Sequence, residues 1–125
     1  MSARSKWLKA GVILLLIALS ASVALKIGAQ ESDTAKLYQN YPNPFSEVTV
    51  IKYYVPSSGQ VKITVQNMLG SELAEIESGK KEKGEYSVRF EGSNYPSGQY
   101  SYTMTYRSDA NDAQTKLTKK MYLVR

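Results

Sequence analysis

From position 49 onward the chain repeatedly alternates apolar and polar residues, and each run stops at a cluster of turn residues or charge. "TVIKYYV" (49–55) sets Ile51, Tyr53 and Val55 on one face. "VKITVQ" (61–66) sets Val61, Ile63 and Val65 against Lys62, Thr64 and Gln66. "LAEIE" (73–77) is a short, weak run, and "EYSVRFE" (85–91) aligns Tyr86, Val88 and Phe90. "QYSYTMTYR" (99–107) aligns Tyr100, Tyr102, Met104 and Tyr106, and "TKLTKKMYLVR" (115–125) closes the chain. Between them lie "PSSG" (56–59), "MLGSE" (68–72), "SGKKEKG" (78–84), "GSNYPSG" (92–98) and "SDANDAQ" (108–114), all read as turns or loops. The Lys80-Lys81-Glu82-Lys83 run is expected to be a solvated hairpin tip.

A period of two means one face buried and one wet, as in antiparallel sheets. One such sheet would leave its apolar face in water, so two must pack together. The fold class is therefore all-β: a small immunoglobulin-like antiparallel β-sandwich of about seven strands. Ile51, Val61, Ile63, Val65, Val88, Phe90, Tyr100 and Met104 form the expected core. No helical period of 3.6 competes with this pattern.

Ahead of the first strand stands "LYQNYPNPFS" (37–46). Pro42 and Pro44 lack a backbone N–H and push Tyr41 and Asn43 toward extended conformations, so this segment is neither helix nor central strand. It reads as an extended lead-in, with Tyr38, Tyr41 and Phe45 available to pin it.

The chemistry is sparse. The 125 residues leave room for one domain. Cysteine and histidine are both absent, which removes thiolate chemistry, the commonest general base and the commonest transition-metal ligand. The acids are scattered and form no calcium-loop pattern. Neither an enzyme nor a cofactor is expected, and no small-molecule substrate. The net charge of +5 is concentrated at the start: residues 1–29 hold Arg4, Lys6, Lys9 and Lys26 with no acid, and the remainder holds twelve basic and eleven acidic residues. A nucleic-acid footprint requires charge clustered on the folded part, so nucleic acid is not an expected partner.

That basic start precedes an uncharged run of sixteen residues, 10–25, too short to span a bilayer as a helix at about 20 residues. Basic, apolar and small segments in that order make a signal peptide over residues 1–29, with cleavage expected after Ala29 or nearer Ala24. The alternative is an uncleaved membrane anchor. Residues 30–36 are expected to be a short flexible tail before a domain at 37–125.

The fragments "LYQNYPNPFSEVTVIKYYVP", "GQVKITVQNMLGSEL", "GEYSVRFEGSNYPSGQYSY" and "TKKMYLVR" together resemble the type A C-terminal sorting domain of the type IX (Por) secretion system of Bacteroidota. The resemblance covers Leu37 to Arg125, with Ser46-Glu47 in place of the usual Asn-Pro and Asn67 where Asp is common. It implies an immunoglobulin-like sandwich that acts as an address, read by the outer-membrane type IX translocon and, in many members, removed by its sortase. Export across the inner membrane to the periplasm, then secretion or display at the cell surface, follows from that. The lead-in would then be the hinge and first edge of the domain, preceded by almost no cargo.

On this resemblance the candidate recognition residues are Gly98, Tyr100, Lys119, Lys120, Met121, Leu123 and Arg125. Lysines on a terminal strand also guard an edge against unwanted pairing, and an edge is equally a place for recognition by strand addition. Two uses are open to Tyr100, Tyr102 and Tyr106: a carbohydrate-stacking platform on a surface adhesion module, or part of the core. Gly59, Gly70, Gly84 and Gly98 are read as turn residues needing positive φ or tight approach. Oligomeric state is not fixed by any of this.

Overall fold

The computed structural model describes residues 33–125; the expected signal peptide lies outside the described residues. Seven strands follow one another: β1 (Lys36–Leu37), β2 (Val48–Val55), β3 (Gly59–Gln66), β4 (Glu72–Lys81), β5 (Gly84–Glu91), β6 (Gly98–Ser108) and β7 (Gln114–Leu123). They form a three-stranded sheet of order β1-β2-β5 and a four-stranded sheet of order β4-β3-β6-β7, antiparallel throughout. These make the two layers of a β-sandwich. The alternation in sequence becomes alternation in burial. Ile51, Tyr53 and Val55 of β2 are buried, as are Val61, Ile63 and Val65 of β3 and Tyr100, Tyr102, Met104 and Tyr106 of β6.

Val88, expected in the core, is only half-buried and packs against the core's margin. Its strand is the reason: among the described residues β5 pairs with β2 alone, so one flank of Val88 has no described strand beside it. Phe90 on the same strand is buried because Phe45 and Tyr95 close over it, with ring centroids at 6.1 and 5.7 Å.

The expected loop at 78–84 is mostly strand. β4 continues to Lys81, and Lys80 and Lys81 pair with Gln60 and Gly59. The lysines stay in the sheet because their charges find partners. Lys80 Nζ lies 3.4 Å from Asp109, and Lys81 Nζ lies 3.7 Å from Glu77 and 5.4 Å above the Tyr86 ring. Only Glu82 and Lys83 turn the chain.

The lead-in is anchored differently from expectation. Of Tyr38, Tyr41 and Phe45, only Phe45 is buried; Tyr41 is 80% exposed. The compact unit begins at Ala35, which is buried, and Lys36-Leu37 pairs with Tyr53 and Tyr54 of β2. The tie in the middle is polar. Asn40 Nδ2 donates to Thr49 Oγ1 at 2.9 Å and to the Pro42 carbonyl at 3.1 Å, and Thr49 Oγ1 donates to the same carbonyl at 2.8 Å. Both side chains are buried, so each needs a partner, and each has one.

Candidate functional site

Strand β7 is the outermost strand of the four-stranded sheet; among the described strands its neighbour is β6, in unbroken register from Arg107↔Gln114 to Gly98↔Leu123, and Phe45 adds an isolated bridge at Leu123. Alternate residues of a strand point to opposite faces. Met121 and Leu123 are fully buried, and Tyr100, opposite Met121, is buried with its hydroxyl donating to the Pro96 carbonyl. Three of the seven candidate residues therefore hold β7 in place from inside. Gly98 opens β6 opposite Leu123, with φ of 155°. Arg125 turns back: its guanidinium donates to the carbonyls of Gly92 and Tyr95, and its backbone N–H donates to Ser97 Oγ.

Lys119 and Lys120 are the exposed members of the set, and they lie on opposite faces. Lys120 shares the outer, wet face with Lys116, Thr118 and Tyr122. Lys119 has the parity of Met121 and Leu123 yet remains in solvent. A charge on the inward face of an edge strand discourages indiscriminate pairing. Lys116 was missed in sequence; its position four residues before Lys120, at even spacing, is the signal that could have found it.

Several cations of the domain are held in ion pairs. Lys62 pairs with Glu75, Lys80 with Asp109, Lys81 with Glu77, Arg89 with Glu91 and Arg107 with Asp112. Among the described residues, no carboxylate comes within ion-pair reach of Lys116, Lys119 or Lys120. β7 is therefore a strip of uncompensated positive charge.

The end of this strand is clasped by the lead-in. Phe45 N–H donates to the Tyr122 carbonyl and Val124 N–H donates to the Phe45 carbonyl, each at 2.9 Å. Tyr122 N–H donates to Asn43 Oδ1 at 3.0 Å, and Gln39 Nε2 donates to the Lys120 carbonyl at 2.7 Å. On the terminal-strand side these main-chain groups all belong to even-numbered residues (Lys120, Tyr122 and Val124), which identifies the even set as facing away from β6. Among the described residues, the outward groups of Lys116 and Thr118, together with the Lys120 N–H, have no such cover.

The tyrosine platform does not form. Tyr102 and Tyr106 are buried like Tyr100, and their hydroxyls donate to the carbonyls of Tyr38 and Ser57, each at 2.7 Å. Burial pushes the Tyr102 phenol up to about 12.

The profile of a family described as "Secretion system C-terminal sorting domain" matches residues 39–123. A search of curated proteins gives no match. Among solved structures, the chain is similar to part of dimeric latent PorU from Porphyromonas gingivalis, with a TM-score of 0.58 and 18% identity. The likeness takes in 73% of this chain and 9% of that one, and at this identity it concerns the fold alone. The family match is of another order, because it runs through every strand from β2 to β7. The chain belongs to the family of secretion system C-terminal sorting domains.

Proposed function

We propose that this domain is a non-enzymatic address for export across the outer membrane, recognised by the type IX translocon through its terminal strand. The family is one of sorting signals, which implies export toward the cell surface by this system. Recognition at β7 is the finer reading. The observation that carries it is an exposed edge strand whose lysines lack partners within the domain, while its apolar residues fix it to the core. An edge offers main-chain groups for affinity and side chains for choice, which a central strand does not. Passage through the periplasm before recognition, and removal by the sortase afterward, belong to the same proposal.

The test places residues 30–125 behind a signal peptide and a fluorescent protein in a bacterium with a type IX system. The intact fusion should reach the surface or medium. Lys119→Glu with Lys120→Glu keeps the strand's hydrophobic anchors and reverses its exposed charge, and it should leave the fusion in the periplasm. Periplasmic retention of the intact fusion would refute the sorting role for this chain.

A further inference from the structure

Resting on that reading, we infer that residues 116–120 of β7 receive an extended acidic segment of a protein partner, added as a fifth strand to the four-stranded sheet. Three observations meet here. Among the described residues no hydrogen bond reaches the outward main-chain groups of Lys116 and Thr118 or the Lys120 N–H, whereas the lead-in takes the outward groups from the Lys120 carbonyl to the Val124 N–H. The open edge is therefore short and has a fixed end. Gln39 on the Lys120 carbonyl marks where an added strand must stop.

The second observation is the charge. Lys116, Lys119 and Lys120 have no carboxylate partner among the described residues, and 114–125 contains no acid. The third is their distribution over both faces, which specifies a partner sequence. Residues directly opposite across an antiparallel pair lie close enough for opposite charges to attract. Read from its N-terminus, the added strand places an acid against Lys120, an acid against Lys119, a polar residue against Thr118, an apolar residue against half-buried Leu117 and an acid against Lys116. The pattern is acid–acid–polar–apolar–acid. A second copy of β7 is a poor occupant, since pairing centred on Thr118 would set Lys116 against Lys120, like charge on like. The lysines thus repel one another's copies and admit a partner of the opposite sign.

The experiment uses the full chain, labelled with ¹⁵N and kept in mild detergent, titrated with a short peptide carrying Glu-Glu-Thr-Ile-Glu. Amide shifts should concentrate at Lys116, Thr118 and Lys120. A Gln-Gln-Thr-Ile-Gln peptide should bind about tenfold more weakly, the scale of three exposed charge pairs, and added salt should narrow the difference. Thr118→Pro removes one outward N–H without touching the β6 ladder, as a proline on an edge strand can. It should abolish the peptide shifts while leaving the other amide signals in place.

If the Glu peptide gives no shifts at 116–120, or both peptides bind alike, the acidic-strand inference is overturned. Self-association of the chain before peptide is added, with broadening confined to this edge, would assign it to a second copy and also overturn it. Export of the Thr118→Pro fusion at the intact rate would do the same. The sorting reading itself fails only if the intact fusion is not exported, so the two failures are distinct.

Discussion

Phe45 and Leu123 form a parallel bridge that joins the lead-in to the terminal strand, and both side chains press on Gly92 from the same side. A Cβ at Gly92 would sit 2.9 Å from the Phe45 ring and 3.2 Å from a Leu123 methyl, so the absence of a side chain there lets the three segments close. Leu123 belongs to the four-stranded sheet and Phe90, against which Phe45 packs edge-on, to the other. Phe45 is thus a stitch between the layers as well as a cap on the strand end.

Phe45→Ala should therefore destabilise the domain by about 3–5 kcal/mol, the usual cost of emptying a buried aromatic site, read from a denaturant midpoint. Tyr41→Ala, at an 80% exposed position, should stay within about 0.5 kcal/mol of the parent. Equal losses would mean that the lead-in is held by its surface aromatics.

The Asn40–Thr49 pair predicts a coupled result. Asn40→Ala removes donors to Thr49 Oγ1 and the Pro42 carbonyl, and Thr49→Val removes the other donor to that carbonyl. Each change should cost about 1–3 kcal/mol, the range for disturbing a buried hydrogen-bonded group. The double variant should cost less than the sum, because both remove the same bond. Strict additivity in a double-mutant cycle would show that the pair does not act as a unit.

Sequence pattern carried the fold as far as local rules reach. Period two located β2, β3, β5 and β6 because each has one face on the core. It placed β7 as the closing strand. It could not extend β4 to Lys81, since a lysine pair beside glycine reads as a loop until Asp109 and Glu77 are brought near by other strands. Asn40 and Thr49 were invisible for the same reason: their bond spans nine positions and exists only once the lead-in folds over β2. Lys119 and Lys120 were legible as a charge pair, but their division between two faces, and the closure of 120–124 by the lead-in, are properties of the assembled edge.

Gly59 tests close approach. It stands at the first position of β3, opposite Ser108, and a Cβ there would run into the Arg107 carbonyl oxygen and lie 2.7 Å from a Tyr106 ring carbon. The backbone atom cannot swing aside as a side-chain tip can. Gly59→Ala should cost at least about 1–3 kcal/mol, the scale of overpacking. Lys81→Ala, its cross-strand neighbour, loses a partly screened ion pair to Glu77 and the contact over the Tyr86 ring, and should cost about 1 kcal/mol. Thermal melts of the two variants order them. A Lys81→Ala effect as large as that of Gly59→Ala would contradict the close-approach argument.

Tyr102 gives the domain an alkaline limit. Its phenol is buried, donates to the Tyr38 carbonyl at 2.7 Å, and is pushed up from 10.0 to about 12. The folded state therefore keeps this proton across an interval in which the unfolded chain has released it. Between these values the native state binds more protons than the unfolded one, so stability falls as pH rises. The contribution is complete below pH 10.0, and it is lost as pH climbs through about 12. Two pKa units correspond to about 2–3 kcal/mol. Tyr53, raised by burial and by its bond to Glu77, acts in the same direction, so the parent's decline is shared. Tyr102→Phe should be slightly less stable at pH 8, by about 1 kcal/mol for the lost bond. Its stability should then fall less steeply than the parent's across the alkaline interval. Urea midpoints measured for both proteins at pH 8, 10, 11 and 12 provide the comparison. Parallel curves would mean that Tyr102 ionises in the folded state as readily as in the unfolded chain, and that its burial does not hold the proton.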